Sequence, residues 1–251
     1  MHRVLIAFQE NPAETLLIRE PEALHHLSRV LRVQAGEAIE CLDGKGSRLQ
    51  GSIRSVGRQE ITVAVSSRGF EKPPILKITL AQSLIKQDHF EWILQKATEL
   101  GVVRIIPLLT ARTTVRESGK RFSTSRLLRW RRIIESAAVQ CGCAWLPVLD
   151  EPTPFERAIN SGKNLKFIFA AAADDKSLSM EDALKQVSPE SEITLFIGPE
   201  GDFTGEEVNA AHQAGGIRIW LGERILRADT AAIAAIAMLQ LRPGGLFSSL
   251  D

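Results

Sequence analysis

From residue 75 to residue 241 the chain alternates between two rhythms, and this alternation constrains the fold more than any single motif. "ILKITLAQ" is a short apolar run of strand length, and "DHFEWILQKATELG" places Phe90, Ile93, Leu94, Ala97 and Leu100 at helical spacing. "VVRIIPLL" reads as a strand and "SRLLRWRRIIESAAVQC" as a helix. "LKFIFAA" and "ITLFI" are strands, "TGEEVNAAHQAG" a helix, "IRIWL" a strand and "DTAAIAAIAMLQL" a helix. Short apolar runs suit strands buried on both faces. Strands that alternate with helices predict an α/β fold with a mainly parallel sheet covered by helices. Asp88 is expected to cap the first helix and Gly101 to close it. The alanines of the last helix permit close packing, on the sheet or against a second subunit.

The first 70 residues have a different character. "RVLIAF", "ETLLIR", "EAIECL", "RLQGSIRSV" and "EITVAVSS" are strand-like, several with period-two alternation, and "DGKG" (43–46) is a turn signal between two of them. One helix interrupts, "PEALHHLSRVLR", with Pro21 suited to its first turn. Leu24, Leu27, Val30 and Leu31 share its apolar face, with Arg29 and Arg32 away from the centre. Residues 1–70 are therefore expected to form a small, mostly β domain, a barrel with one helix. "GFEKPP" (69–74) reads as a linker, and the α/β domain is expected over 73–251.

Of the 251 residues, 44% are apolar and 24% charged, enough to bury a core without disulfide or metal staples. No window approaches the ~20 unbroken apolar residues of a membrane helix. "MHRVLIAFQENP" lacks the small-residue cleavage site of a signal peptide, so a cytoplasmic protein is expected. Cys41 stands alone, Cys141 and Cys143 form C-G-C, and the five histidines make no HExxH pattern, so no metal site is expected. Net charge is only +1, but residues 112–132 hold eight basic residues (Arg112, Arg116, Lys120, Arg121, Arg126, Arg129, Arg131, Arg132) against one acid, Glu117. Such a cluster is either a phosphate-contacting surface or a solvated helix face.

In open α/β sheets ligands bind beyond the carboxyl ends of the strands. Two such ends are marked. In "ITLFIGPEGDFTGEE", Gly198 and Gly201 let backbone approach a ligand, Pro199 stiffens the turn, and Thr204 with Glu207 matches a capping box. No GxxxxGK[ST] or GxGxxG occurs, and the acidic turn carrying Glu200 and Asp202 disfavours phosphate. A neutral or cationic ligand such as S-adenosylmethionine fits better. In "IRIWLGERILRADT", Ile225 and Leu226 are apolar residues in a loop, suited to wall a flat ring. Arg227 follows them, ready either to pair with Glu200 or Asp229 or to stabilise developing negative charge.

Taken together, "IGPEGDFTGEEV" and "LGERILRADTA", with "FEWILQKATELGVVRIIPL" upstream and "RWRRIIESAAVQC" between, resemble the bacterial 16S ribosomal RNA uridine-N3 methyltransferase family of the SPOUT class. "HHLSRVLRVQAGEAIECLDGKG" is similar to the PUA-like RNA-binding domain of these enzymes, and the likeness spans nearly the whole chain. The resemblance implies a trefoil knot in the C-terminal domain, a homodimer, and 16S ribosomal RNA as substrate, within the small ribosomal subunit. By motif it places the cofactor against Gly198, Glu200, Gly201, Leu221, Gly222, Ile225, Leu226, Arg227 and Thr230. Arg227 and Glu200 are the expected catalytic residues, with Asp229 a second candidate proton acceptor. Arg29, Arg32, Arg112, Arg129 and Arg132 are expected to grip RNA phosphates. N3 lies on the Watson–Crick edge, so the target uridine must be unpaired or turned outward. The chain departs from the family pattern at Asp202, where a glycine is usual, and at Ala228-Asp229, where Thr-Glu is usual. It also departs at Val139, at Cys143 and in "AAADDKS" (171–177), which lacks a His-Pro. A ribose 2′-O methyltransferase and a non-catalytic ribosome assembly factor are the competing readings.

Overall fold

A computed structural model describes residues 1–7, 14–113, 123–170 and 177–247. Arg116, Glu117, Lys120 and Arg121 of the basic cluster, and most of "AAADDKS", lie outside the described residues. The chain divides into two compact units. The first comprises Met1–Pro73 together with Glu135–Leu146, and the second Pro74–Ile134 with Pro147–Asp251. Among the described residues, no helix is long and apolar enough to cross a membrane.

The first unit holds β1 (His2–Leu5), β2 (Thr15–Ile18), α1 (Pro21–His25), β3 (Ala38–Leu42), β4 (Ser47–Val56) and β5 (Ile61–Phe70). The strands form one sheet in the order β1-β3-β4-β5-β2; β1 and β3 run parallel and the other pairs antiparallel. Alternation does what it should: Ile39 and Cys41, Leu49 and Ile53, and Ile61 and Val63 point into one core with Leu27 of the helical segment.

That segment corrects one expectation. After α1 the chain winds as a π turn over His26–Val30, with the Leu31 amide bonding back to the His26 carbonyl at 2.9 Å. The wider turn rotates the last residues off the apolar face. Leu27 is fully buried and Leu24 half-buried, but Val30 and Leu31 face solvent.

The 135–146 segment is tied to this sheet by directed bonds. The Gly46 amide donates to the Ala144 carbonyl (2.9 Å), the Leu146 amide to the Gly44 carbonyl (3.0 Å), and the Trp145 indole to the Glu71 carbonyl (2.9 Å). Arg3 donates to the Gln140 carbonyl (3.1 Å) and Arg48 to that of Gly142 (2.6 Å). Both arginines also hold Glu40, whose side chain is almost wholly buried, and Arg48 reaches Glu71 as well. Burial pushes the Glu40 carboxyl up. The hydrogen bonds from Arg3 and Gln50 and the charges of Arg48 and Arg3 outweigh it, so the group sits below the usual range.

The second unit contains β6 (Lys77–Ser83), α2 (Gln87–Glu99), β7 (Arg104–Leu109) and the start of α3 (Thr124–Cys141). There follow β8 (Val148–Leu149), β9 (Thr153–Pro154), α4 (Phe155–Ile159), β10 (Leu165–Phe169), β11 (Leu178–Ser179) and α5 (Met180–Leu184). β12 (Glu192–Ile197), α6 (Gly205–Gln213), β13 (Gly216–Trp220) and α7 (Ala228–Gln240) complete it. The predicted parallel sheet is present: its order is β11-β13-β10-β12-β6-β7-β8, with β9 also on β7, and every pair runs parallel. Helices cover both faces. Ala81, Ile106, Ile168 and Phe196 bury one face against Phe155 and Ile159 of α4 and Ala211 of α6, while α7 packs on β6, β12 and α2.

Helix ends follow the sequence with one exception. Asp88 lies inside the first turn of α2; Lys86 occupies the capping position and no side chain caps it. Gly101 takes φ +72° just beyond α2, the left-handed closure expected of it.

Candidate active site

β10 lies between β12 and β13, and the three strands end level: Phe169 pairs with Ile197 on one side and Ile219 on the other. The turn after β12 and the loop after β13, distant in sequence, therefore leave the sheet side by side. β6 extends this row, with Gln82 paired to Ile197. A cavity of about 720 Å³ opens across these carboxyl ends, within the ~300–1,000 Å³ typical of small-molecule sites.

The sequence motifs supply most of its wall. Gly198, Pro199, Glu200 and Asp202 come from the first turn, and Leu221, Gly222, Arg224, Ile225, Leu226 and Arg227 from the second. Phe169, Ala170, Ile197 and Ile219 bring strand ends, and Ile85, Lys86 and His89 come from the end of β6 and the start of α2. Ala228, Asp229 and Ala231 close it from the first turn of α7.

The first turn is held from behind. Thr204 Oγ1 accepts the Glu207 amide at 3.2 Å and Glu207 Oε2 accepts the Thr204 amide at 2.8 Å, completing the predicted capping box. The other Glu207 oxygen accepts the Ala111 amide at 2.9 Å, so one buried carboxylate anchors the turn to the segment after β7. Asp202, noted above as a departure, adopts φ +62°, and its carboxylate accepts the Phe203 amide at 2.8 Å. Short polar side chains tolerate this conformation because they bond locally. Gly222 in the second loop takes φ +113°, and a Cβ there would meet nothing within 4 Å.

Charge around the cavity is balanced. Lys86, Arg224 and Arg227 oppose Glu200, Asp202 and Asp229. Among the described residues, the Lys86, Glu200, Arg224 and Arg227 side chains make no hydrogen bond or ion pair, so Arg227 takes neither of the partners considered for it. Asp229 is bound to His89 instead, Nδ1 to Oδ2 at 2.7 Å, while its Oδ1 accepts the Thr230 amide (2.7 Å) and hydroxyl (3.3 Å). Burial raises the Asp229 pKa, but the His89 and Thr230 bonds more than compensate, and the carboxyl lies below its ordinary value.

Not every expected residue reaches the cavity wall. Gly201 and Thr230 stand beside it without lining it. The Gly201 carbonyl accepts Arg112 Nη1 at 2.6 Å, and Thr230 donates to the Asp229 carboxylate. Of the candidate phosphate grips, Arg29 and Arg32 are exposed in the first unit, and Arg32 adopts φ +52° after the π turn. In the second unit Arg112 is engaged with Gly201, Arg129 makes a two-pronged bond to Glu91 (both 2.7 Å), and Arg132 is exposed on α3. Sequence reasoning missed Lys86, His89, Phe169 and Ala170. The signal was available: the carboxyl-end rule that marked β12 and β13 applies equally to β6 and β10.

Two family models match this chain: an RNA methyltransferase domain over residues 71–240 and an RNA methyltransferase PUA domain over 18–66. The ribosomal RNA small subunit methyltransferase E of Synechocystis sp. is 34% identical over 94% of this chain and 76% of its own length. A methyltransferase from Legionella pneumophila, solved in complex with bound SAM, superposes with a TM-score of 0.84 at 32% identity, covering 95% of this chain and 96% of that one. The ribosomal RNA small subunit methyltransferase E of Neisseria gonorrhoeae, bound to S-adenosyl methionine, gives 0.82 at 30% identity, covering 96% and 97%. With domain matches in the same order as the two sequence styles, and a relative 34% identical over 94% of this chain, the chain belongs to the ribosomal RNA small subunit methyltransferase E family.

Proposed function

We propose that this protein transfers a methyl group from S-adenosylmethionine to N3 of a uridine in 16S ribosomal RNA. The observation that carries the reading is the convergence of two glycine-bearing turns on one cavity across level strand ends. The cavity suits that cofactor. Ile197, Ile219, Leu221 and Leu226 offer apolar walls for an adenine, Gly198 and Gly222 leave backbone open to it, and Glu200 and Asp202 oppose phosphate but not a cationic sulfonium. Bound S-adenosylmethionine supplies a methyl group on a positively charged sulfur, which keeps the bonding pair when the methyl leaves. What remains for the protein is alignment and handling of the N3 proton, whose pKa lies above neutrality. Arg227 is placed to stabilise the uracil anion through O2 or O4, as a guanidinium that stays charged at any working pH.

In this reading residues 1–70 form the PUA-like RNA-binding domain and 73–251 the methyltransferase domain, whose chain is knotted as in the SPOUT class. The protein works in the cytoplasm as a homodimer on the small ribosomal subunit. Arg29, Arg32, Arg112, Arg129 and Arg132 contribute positive charge toward RNA phosphates, with Arg129 partly neutralised by Glu91. Nucleoside mass spectrometry of 16S ribosomal RNA from cells with and without the protein tests the reaction. Loss of 3-methyluridine is expected in its absence; an unchanged level refutes the assignment, and loss of a ribose-methylated nucleotide replaces it with 2′-O transfer.

A further inference from the structure

The N3 proton needs an acceptor, and the carboxylates considered from sequence are poorly suited to the task. Both oxygens of Asp229 are already occupied, Oδ2 by His89 and Oδ1 by the Thr230 amide and hydroxyl. Those bonds favour the charged form, so Asp229 holds protons weakly. Glu200 sits exposed at the cavity mouth without a hydrogen-bond partner among the described residues to orient it.

His89 differs from both. It stands in the first turn of α2, lines the cavity, and keeps 37% of its side chain accessible. A carboxylate only accepts, so the 2.7 Å contact requires hydrogen on Nδ1. In the neutral ring this fixes the tautomer and leaves Nε2 with its lone pair and no partner among the described residues. An imidazole whose Nδ1–H is held by a carboxylate is fixed in orientation and in tautomer, with the far nitrogen turned out to accept a proton.

We propose that His89, oriented by Asp229, is the base that accepts the uridine N3 proton at Nε2. The proposal rests on the uridine-N3 reading above. The N3–H bond breaks, its proton passes to Nε2, and the electron pair left on N3 forms the new bond to the methyl carbon. The imidazolium then returns the proton to solvent. Asp229 serves as a positioning residue, stabilising the charged ring without taking the proton itself.

Charged groups of both signs share the cavity with this ring. Asp229, Glu200 and Asp202 are the acidic groups of the same cavity, with Asp88 next to His89 on α2. Lys86 before α2 and Arg224 and Arg227 in the loop after β13 are the basic ones.

Three measurements on the full-length protein test this. First, ring-nitrogen NMR with labelled histidine, assigned through His89→Gln, reports which nitrogen of the neutral ring carries hydrogen in wild type and in Asp229→Asn. Hydrogen on Nδ1 is expected in wild type, with that preference weakened in Asp229→Asn, and hydrogen on Nε2 in wild type overturns the pairing. Second, methylation of small-subunit RNA is followed against pH. His89→Gln should lose about 10²–10⁴-fold in kcat together with the acidic limb of the profile; activity within about threefold of wild type overturns the role. Third, calorimetry should give His89→Gln wild-type affinity for S-adenosylmethionine. A variant whose whole deficit is weakened cofactor binding also overturns the proposal, because the ring then only shapes the pocket. Wild-type protein that forms no 3-methyluridine sinks the reading of function and the base with it. Wild-type protein that forms it while His89→Gln keeps pace sinks the base alone.

Discussion

Arg227 and Asp202 show how far a single side chain can be interpreted here. Arg227 lines the cavity from the capping position of α7, exposed and without a partner among the described residues, so its removal disturbs no bond of the fold. Arg227→Ala is expected to lower turnover by about 10²–10³-fold, in line with loss of one charge-stabilising donor, while circular dichroism and the melting temperature stay at wild-type values. Unchanged turnover removes Arg227 from the chemistry. Asp202 carries a different burden, a left-handed backbone in the turn after β12. Asp202→Gly gives up the side chain's bonds, that to the Phe203 amide among them, for relief of that conformation, and its melting temperature should fall less than that of Asp202→Val. Asp202→Val gains neither, and denaturant titration should show a cost of about 1–2 kcal/mol. The glycine-rich turn was legible from its letters; the conformation forced on Asp202 was not, because φ is set by how the turn closes.

Elements are fixed at their ends by a few polar groups, and these divide into local and long-range ties. Thr204 and Glu207 form the capping box of α6, a local arrangement readable from spacing alone. Glu207 also holds the Ala111 amide, 96 residues away in sequence, which no local pattern announces. Thr204→Ala should therefore cost about 1 kcal/mol by chemical denaturation, and Glu207→Ala more, about 2–3 kcal/mol, since two backbone donors lose their acceptor. Equal costs would show that the long-range bond contributes nothing. Glu40 plays the corresponding part in the first unit, between Arg3 and Arg48. Its carboxyl is depressed in the folded state, so its contribution is present above the ordinary carboxylate range and is lost as pH falls through the depressed folded value. Glu40→Gln should destabilise the protein at neutral pH and flatten the acidic side of a plot of melting temperature against pH. An acid profile parallel to wild type would exclude Glu40 from that dependence.

Across the full chain, a net charge of +1 conceals local basic surface. If Arg29 and Arg32 face RNA phosphates, the logarithm of the affinity should fall linearly with the logarithm of salt concentration, and Arg32→Ala should reduce that slope by about 1. Filter binding across a salt series decides it, and an affinity indifferent to salt rules out the electrostatic grip. Periodicity identified all five strands of the first unit and the long strands and helices of the second, because residues that bury one face must repeat at the period of their element. It passed over β8, β9, β11, α4 and α5, which at two or five residues are too short to repeat their period. The two ligand-facing turns were also written locally, since glycine, proline and a capping pair act on their own neighbours. Three things were decided only in the folded chain: the level strand ends that join those turns in one cavity, the attachment of residues 135–146 to the first sheet, and the meeting of His89 with Asp229. Each depends on which strands and helices become neighbours. That choice minimises exposed apolar surface and unpaired polar groups over the whole chain, and so it has no signature in any short stretch of it.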